Sequence, residues 1–481
     1  MARFRYASNF AALATLAVAT PAAAATLQVG PGKTYAKPCD AIAAAQAGDT
    51  IQVDAAGKYD GDTCSWSTDN LTITGVNGRA KIDLTGVEPA GHKGIFTIGG
   101  TANATIENFE LSGAATTMGN NGAGIRHQGL NLTVRNCYIH DNQDGILGAP
   151  ATANTGTVLI ENSEFSANGA GDGYSHNLYI GNFAQVTMRF SYSHGAKVGH
   201  LFKSRAYITN VVYSRLTDEM GGTASYEVDI PNGGTGFVIG NLIEQSAASM
   251  NPGIITFGEE GTPGGYDTHL FVVNNTIVND LGSGTFVIDP TSTPAVVTNN
   301  IFYNGGTVTS QAAAMLTTNF DSAMMGNPMF TNVAGYDVTL LAGSPCIDKG
   351  TDPGMGGGQS LMPVFEYVHP LSEVARSVVG PAIDIGAYEH GLSLDAGVVG
   401  PDGSAPDGSA SSSSSGGSSG GGSGGGSGSS SGGSSGGGGD GGGNNATPGS
   451  SGGCGCAVAG APADVALETA SGAAVLAIAA G

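Results

Sequence analysis

Positive charge is scarce in this chain: 17 Lys and Arg face 39 Asp and Glu among 481 residues, a formal balance of −22. No basic run exists, and no Lys or Arg follows Arg376, which excludes nucleic acid as the main partner. The acidic balance suits a soluble extracellular protein and repels anionic polymers, except where a local basic patch intervenes. Long hydrophobic runs are missing too, since the apolar stretches at 10–18 and 470–480 are too short to span a bilayer. Convincing helical periodicity is rare. Glycine, by contrast, is plentiful at 81 residues and is concentrated after about residue 395. The chain before that point is long enough to bury a substantial core.

Arg3 and Arg5 precede the 10–18 apolar stretch, which runs into Pro21 and the small residues 22–25. That order predicts a secretory signal peptide over 1–25, cut near Ala25. Export permits disulfides. Cys39 and Cys64 flank a short segment and are the expected pair, whereas Cys137 and Cys346 read as small buried hydrophobes.

A short pattern recurs along the middle of the chain: two β-formers, often an Asn, two variable positions, then an aliphatic residue or Phe. It occurs as TIENFEL around Asn108, TVRNCYI around Asn136 and LIENSEF around Asn162, then less faithfully around Phe190, Tyr213 and Gly240. FVVNNTI around Asn274 and VVTNNIF around Asn299 complete the series, with successive anchors 23 to 34 residues apart. A second short strand follows each anchor, among them HNLYIG, HLFKSR and SYEVDI. The period is too short for a propeller blade and lacks the helices of a leucine-rich repeat. It predicts an all-β fold, a single-stranded right-handed parallel β-helix whose coils stack about 4.8 Å apart. The Asn anchors then serve as side-chain ladders in the turns. The segment 41–47 (AIAAAQA) is expected as a helix capping the open N-terminal end.

At residues 27–391 the chain resembles bacterial secreted β-helix proteins of the pectate-lyase-like superfamily. VTLLAGSPCIDKGTD (338–352) and PAIDIGAYEHG (381–391) resemble the closing segment of the choice-of-anchor Q group, which implies architecture and not a reaction. The expected organisation is a β-helix domain over 26–392, a Gly/Ser linker over 393–453 and a Cys-containing tail over 454–481. Such a linker cannot bury enough apolar surface to order itself, and it reaches on the order of 40 Å. GGCGC with the apolar stretch after it resembles a MYXO-CTERM sorting signal, which implies anchoring to the cell envelope through Cys454 or Cys456. The tail departs from that pattern, because its apolar stretch is short and no arginine cluster follows. A disulfide between the two cysteines is the plainer alternative.

Three of the nine His and four of the 17 basic residues, Lys203 and Arg205 among them, fall within 176–205. Aligning His176 with His200 sets Tyr179 beside Lys203, with Arg205 beyond and Asp229 on the next rung. Strand alternation then predicts an outward patch of Arg126, Tyr179, Lys203, Arg205, Glu227 and Asp229, edged by His176, His194 and His200, with Tyr226 pointing inward. The β-helix lyase resemblance implies chemistry for such a patch on a uronate polymer. Lys203 or Tyr179 serves as base or acid, Arg205 and Arg126 neutralise the carboxylate, and Glu227 and Asp229 orient the cations or hold Ca²⁺. Two structural readings stand beside it: an ion-pair ladder between rungs, and histidines bonded to backbone in turns. A zinc site from His176, His194 and His200 has no supporting spacing. The paired carboxylates of a glycosidase have no candidate near the patch, because GEEG (258–261) is expected to form a turn elsewhere. The function read from the sequence is therefore an exported, surface-tethered monomer that engages acidic polysaccharide, as a lyase or as a non-catalytic binding or structural protein.

Overall fold

Short segments rich in β-branched residues, alternating apolar and polar, bury their apolar side chains only by stacking on one another. A computed structural model describes residues 23–392 and places these segments in three long sheets. Sheet 1 has 12 strands, from Thr26–Val29 to Met315–Thr317. Sheets 2 and 3 have ten each, from Ala80–Asp83 to Phe320–Asp321 and from Cys64–Trp66 to Thr307–Thr309. Each coil visits the sheets in that order and each strand pairs in parallel with its equivalents above and below, which makes a right-handed parallel β-helix. Residues 1–22, the 393–453 linker and the 454–481 tail with Cys454 and Cys456 lie outside the described residues.

Inward positions stack into apolar columns. On sheet 1 one column runs Ile73, Ile106, Val134, Ile160, Met188, Val211, Val238, Val272 and Val297, all fully buried. Each such side chain is worth about 1.5–3 kcal/mol of burial. Cys137 joins this interior as a buried free thiol, and Cys346 is a buried free thiol within the closing segment, where that segment packs on sheet 2. Helix Pro38–Ala44, starting three residues before the expected 41–47, lays Ala41 and Ile42 over the first coils. Its proline stands at the N-terminus, where no helical N–H bond is lost. A disulfide joins Cys39 in this helix to Cys64 in the first strand of sheet 3.

The repeat anchors all mark one place, the corner between sheets 1 and 2. Asn108, Asn136, Asn162, Phe190, Tyr213, Gly240, Asn274 and Asn299 each have φ between 46° and 69°, so the chain turns there on a single left-handed residue. Asn tolerates that conformation best among residues with a side chain. The expected ladder at these positions is short: Asn136 Nδ2 donates to Asn108 Oδ1 at 2.6 Å, and Asn299 Nδ2 to Asn274 Oδ1 at 3.1 Å. A longer ladder sits one residue later, inside the corner. Backbone N–H groups of Cys137, Ser163, Ser191 and Ser214 donate to the side-chain oxygens of Ser163, Ser191, Ser214 and Asn241 respectively. Asn241, Asn275 and Asn300 continue it, each donating in the same way to the next Asn, as far as Asn319.

The coils end at Phe320–Asp321, and the remaining chain folds back as three hairpins. It covers outward faces that the last coils leave apolar: Leu242, Val278 and Ile301 on sheet 2, and Phe237, Ile239 and Phe271 on sheet 1. The GAYEHG motif explains itself here. Arg376 Nη2 lies 3.0 Å from Glu389 Oε2, and its Nε 3.6 Å from Glu366 Oε1, all three side chains fully buried. Sheet 3 receives no such cover from this segment.

Two substitutions test this account. Asn275→Ala strips a rung from the ladder and strands backbone groups, at an expected cost of about 1–3 kcal/mol. Arg376→Ala leaves two buried carboxylates without their cation and should cost about 3–5 kcal/mol. Urea unfolding measures both, and a midpoint equal to wild type in either variant contradicts the corresponding role.

Candidate functional site

The uncovered face of sheet 3 carries one outward column: Thr97, Arg126, Leu147, Tyr179, Lys203, Asp229 and Thr256. Parallel register places consecutive members about 4.8 Å apart. Tyr179, Lys203 and Asp229 therefore touch. Lys203 Nζ lies 2.8 Å from Asp229 Oδ2 and 5.7 Å from the centre of the Tyr179 ring. Asp229 is fixed from the other side by Thr256, whose hydroxyl donates to Oδ1 at 2.7 Å.

Arg205 leaves the same edge of the sheet one residue after the strand Phe202–Ser204. Its Nε donates to the Tyr179 hydroxyl oxygen at 2.8 Å, and its Nη1 donates to Asn232 Oδ1 at 2.5 Å. Glu260 closes the cluster: Oε1 is 3.3 Å from Lys203 Nζ, and Oε2 is 2.6 Å from Arg205 Nη2. Two cations two residues apart on one rung thus converge on one carboxylate beside an aromatic ring. GEEG does form a turn, as its sequence suggests, but that turn follows the sheet 3 strand Gly253–Phe257 and folds onto the patch. Asn232 and Thr256 have no place in the sequence-based expectation, and Glu260 is expected there in a turn away from the patch, although a turn that directly follows a sheet 3 strand must emerge along this edge.

His176 and His200 stack at 4.5 Å, and His176 Nδ1 accepts from the His200 backbone N–H at 2.9 Å. His200 Nε2 is 3.4 Å from Asp229 Oδ2, while its Nδ1 is buried without a partner. Burial, reinforced by the Lys203 charge, holds both imidazoles well below the ordinary histidine range, so they are neutral. The backbone-bonded reading describes His176. His200 also faces the charged cluster.

Other expected members lie elsewhere. Arg126 belongs to the same column but sits three rungs from Lys203, about 14 Å away, with Leu147 between it and Tyr179. Its Nε and Nη1 are buried without partners, and its nearest counter-charge is Asp144. His194 is on sheet 2, stacked on Tyr192 at 4.1 Å with Nε2 3.1 Å from Glu164 Oε1. It cannot edge a sheet 3 patch or share a zinc ion with His176 and His200. Among the described residues no group of three or more His, Cys, Asp or Glu is arranged to hold a metal. Tyr226 points outward rather than inward: its ring is 5.0 Å from His200 and its hydroxyl donates to Glu259 Oε2 at 3.3 Å.

No family model matches this chain, and no curated protein sequence matches it. Among solved structures it is similar to the pectate lyase Pel9A, with a TM-score of 0.44 and 15% identity over 76% of this chain and 97% of that one. It is also similar to the pectin methylesterase PemA from Erwinia chrysanthemi, with a TM-score of 0.34 and 11% identity over 67% of this chain and all (100%) of that one. No residue role transfers at such identities.

Glu227 is the clearest departure from expectation. It precedes the strand Val228–Ile230, so strand alternation does not govern it, and its carboxyl turns away from the patch to full burial near Asp218 and Glu244. It therefore shares no cation site with Asp229. Burial raises all three, Glu227 well above its usual value, Asp218 to about 7 and Glu244 to about 8, with repulsion added by Asp218 and Glu244 at Glu227, by Glu219 at Asp218, and by Asp280 and Asp218 at Glu244. Burial likewise raises Glu366 to about 7. The folded chain thus keeps protons that the unfolded chain releases near pH 4, so stability falls as pH rises. That contribution is fully present below about pH 4 and declines as pH climbs through about 7 to 8. The midpoint of thermal unfolding should be higher at pH 5.5 than at pH 8.5, and Glu244→Gln should flatten the slope. A midpoint that rises toward pH 8.5 contradicts this.

Proposed function

We propose that this chain is an exported β-helix protein that engages a uronate-bearing polysaccharide along the outer face of sheet 3. One observation carries the reading: Lys203 and Arg205, side by side with the Tyr179 ring, converge on a single carboxylate. An extended polymer suits a stacked column, and its acidic groups need a local positive site on a chain of net charge −22. In this reading the 1–25 leader exports the chain and the 454–481 tail, with Cys454 or Cys456 as the attachment point, holds a choice-of-anchor Q type architecture at the cell envelope; the support for both is the resemblance of those segments. The Gly/Ser linker is its tether.

The reaction these residues suit is β-elimination. Arg205 and Lys203 neutralise the uronate carboxylate and so acidify the neighbouring proton, and neutral His200 is the acceptor for it. Tyr179, whose hydroxyl oxygen already accepts from Arg205, keeps its own proton for the leaving oxygen as the C–O bond breaks. Lys203 is a charge rather than a base in this scheme, because its ammonium is paired with two carboxylates. The same pairing favours a second reading, a binding module without turnover, since Lys203 is only 8% exposed and Asp229 only 3%.

Binding and product formation on polygalacturonate, alginate and a neutral glucan separate the two. Arg205→Ala should weaken binding by about tenfold or more. If the protein is a lyase, the ultraviolet absorbance of an unsaturated uronate appears, and Tyr179→Phe lowers its rate by about 10²-fold while binding persists. Binding without that absorbance assigns the module role. No binding to any acidic polymer overturns the proposal.

A further inference from the structure

The 258–267 connection between the strands Gly253–Phe257 and Thr268–Val273 is the longest of the turns that lead from sheet 3 back to sheet 1, and it is built to be moved. Residues 259–265 are exposed, with Gly258, Gly261 and Gly265 in the left-handed region. No apolar side chain of this stretch is buried. At 258–261 its attachments are polar: the backbone N–H groups of Gly258 and Glu260 donate to the Ile230 and Pro231 carbonyls, and Asn232 Nδ2 donates to the Gly261 carbonyl. Tyr266 anchors the far end, its ring edge-on to Tyr207 at 5.3 Å and its hydroxyl donating to the Arg205 carbonyl and to Asn154 Oδ1. At its tip, the half-exposed Glu260 fills the position between Lys203 and Arg205.

Charge balance explains why something must be there. Lys203 and Arg205 bring two positive charges and Asp229 one negative, so without Glu260 a largely buried cluster keeps a net charge of +1. Uncompensated buried charge is costly. A second carboxylate from outside satisfies the same geometry with the same charge, so exchanging one for the other is close to neutral electrostatically. A methyl ester or a neutral sugar offers no such exchange.

We infer that Glu260 is an internal occupant of a carboxylate subsite, and that an unesterified uronate binds by displacing it together with the 258–261 tip of the turn. This rests on the uronate reading above and adds two things to it: self-occupancy of the subsite, and selection for free carboxylates over esters. A ligand that must first release the turn binds with an apparent affinity reduced by the fraction of molecules already open. Removing the Glu260 charge removes that reduction.

The test uses the mature chain with polygalacturonate and its fully methyl-esterified form. Glu260→Gln should bind polygalacturonate about tenfold more tightly than wild type. Glu259→Gln, which removes the same charge from the same turn but contacts Tyr226 instead, should change binding less than about twofold. In the unmodified chain, polygalacturonate should accelerate amide hydrogen exchange across 258–261, and the methyl ester should not. The exchange measurement does not depend on any variant folding. Equal affinity of wild type and Glu260→Gln, or equal tightening in Glu259→Gln, overturns the displacement while leaving uronate binding intact. Unchanged exchange at 258–261 on a chain that binds polygalacturonate also overturns it. If neither wild type nor Glu260→Gln binds polygalacturonate, the subsite and the functional reading fall together.

Discussion

The corner between sheets 1 and 2 is the constraint on which the rest of this molecule depends. Coils of unequal length can stack in register only if each turns at one fixed point, and here that point is a single left-handed residue. The next side chain secures it by accepting the backbone N–H from the adjacent coil, in a continuous run from Ser163 to Asn319. Extra residues are then forced into the other turns. The coil that contains Glu260 illustrates the consequence: its ten-residue turn at 258–267, where the two preceding coils use three residues, projects beside sheet 3 while its strands stay in register with their neighbours. Site geometry is inherited from the corner, since Tyr179, Lys203 and Asp229 meet only because their coils are in phase.

The corner also explains which parts of the molecule were legible in the sequence. Asn is the side chain that best tolerates the left-handed turn, so the repeat was visible through Asn108, Asn136, Asn162, Asn274 and Asn299. Phe190 and Tyr213 occupy the same conformation less comfortably, and there the sequence signal faded. Their rings are stabilised by Phe365 of the closing segment, which packs edge-on against both. Within strands, period-two alternation set Tyr179, Lys203, Asp229 and Arg126 on one column. It failed one and two residues before a strand, at Glu227 and Tyr226, which lie outside the sheet. His194 was misplaced for a different reason: proximity in sequence to His200 conceals a change of sheet.

Glu260 could not be placed by either kind of pattern. Periodicity gives the rung of a strand residue, but a long glycine-bearing turn has no period. The side chain is positioned by charge, through Lys203 and Arg205, which were themselves visible. A rule follows for solenoids of this kind: outward cations close together on one rung need a counter-charge, and the first place to look is the turn that leaves the same edge of the sheet one or two coils further on.

The most conspicuous motifs of the chain do not carry its chemistry. GAYEHG and its upstream partner secure a segment that covers sheets 1 and 2, through the Arg376–Glu389–Glu366 cluster and the bonds from Asn274 and Asn299 to the Asp384 and Thr351 carbonyls. Covering those two faces removes the apolar surface that the last coils expose, and it leaves sheet 3 as the face where polar and charged side chains line the outside. The closing segment therefore bears on function by exclusion. A strong architectural signature and a weak catalytic one are what this division of labour produces. The cover must meet specific carbonyls and a buried guanidinium, whereas the open face needs only two cations and a ring in register, which many sequences on the same coils can supply.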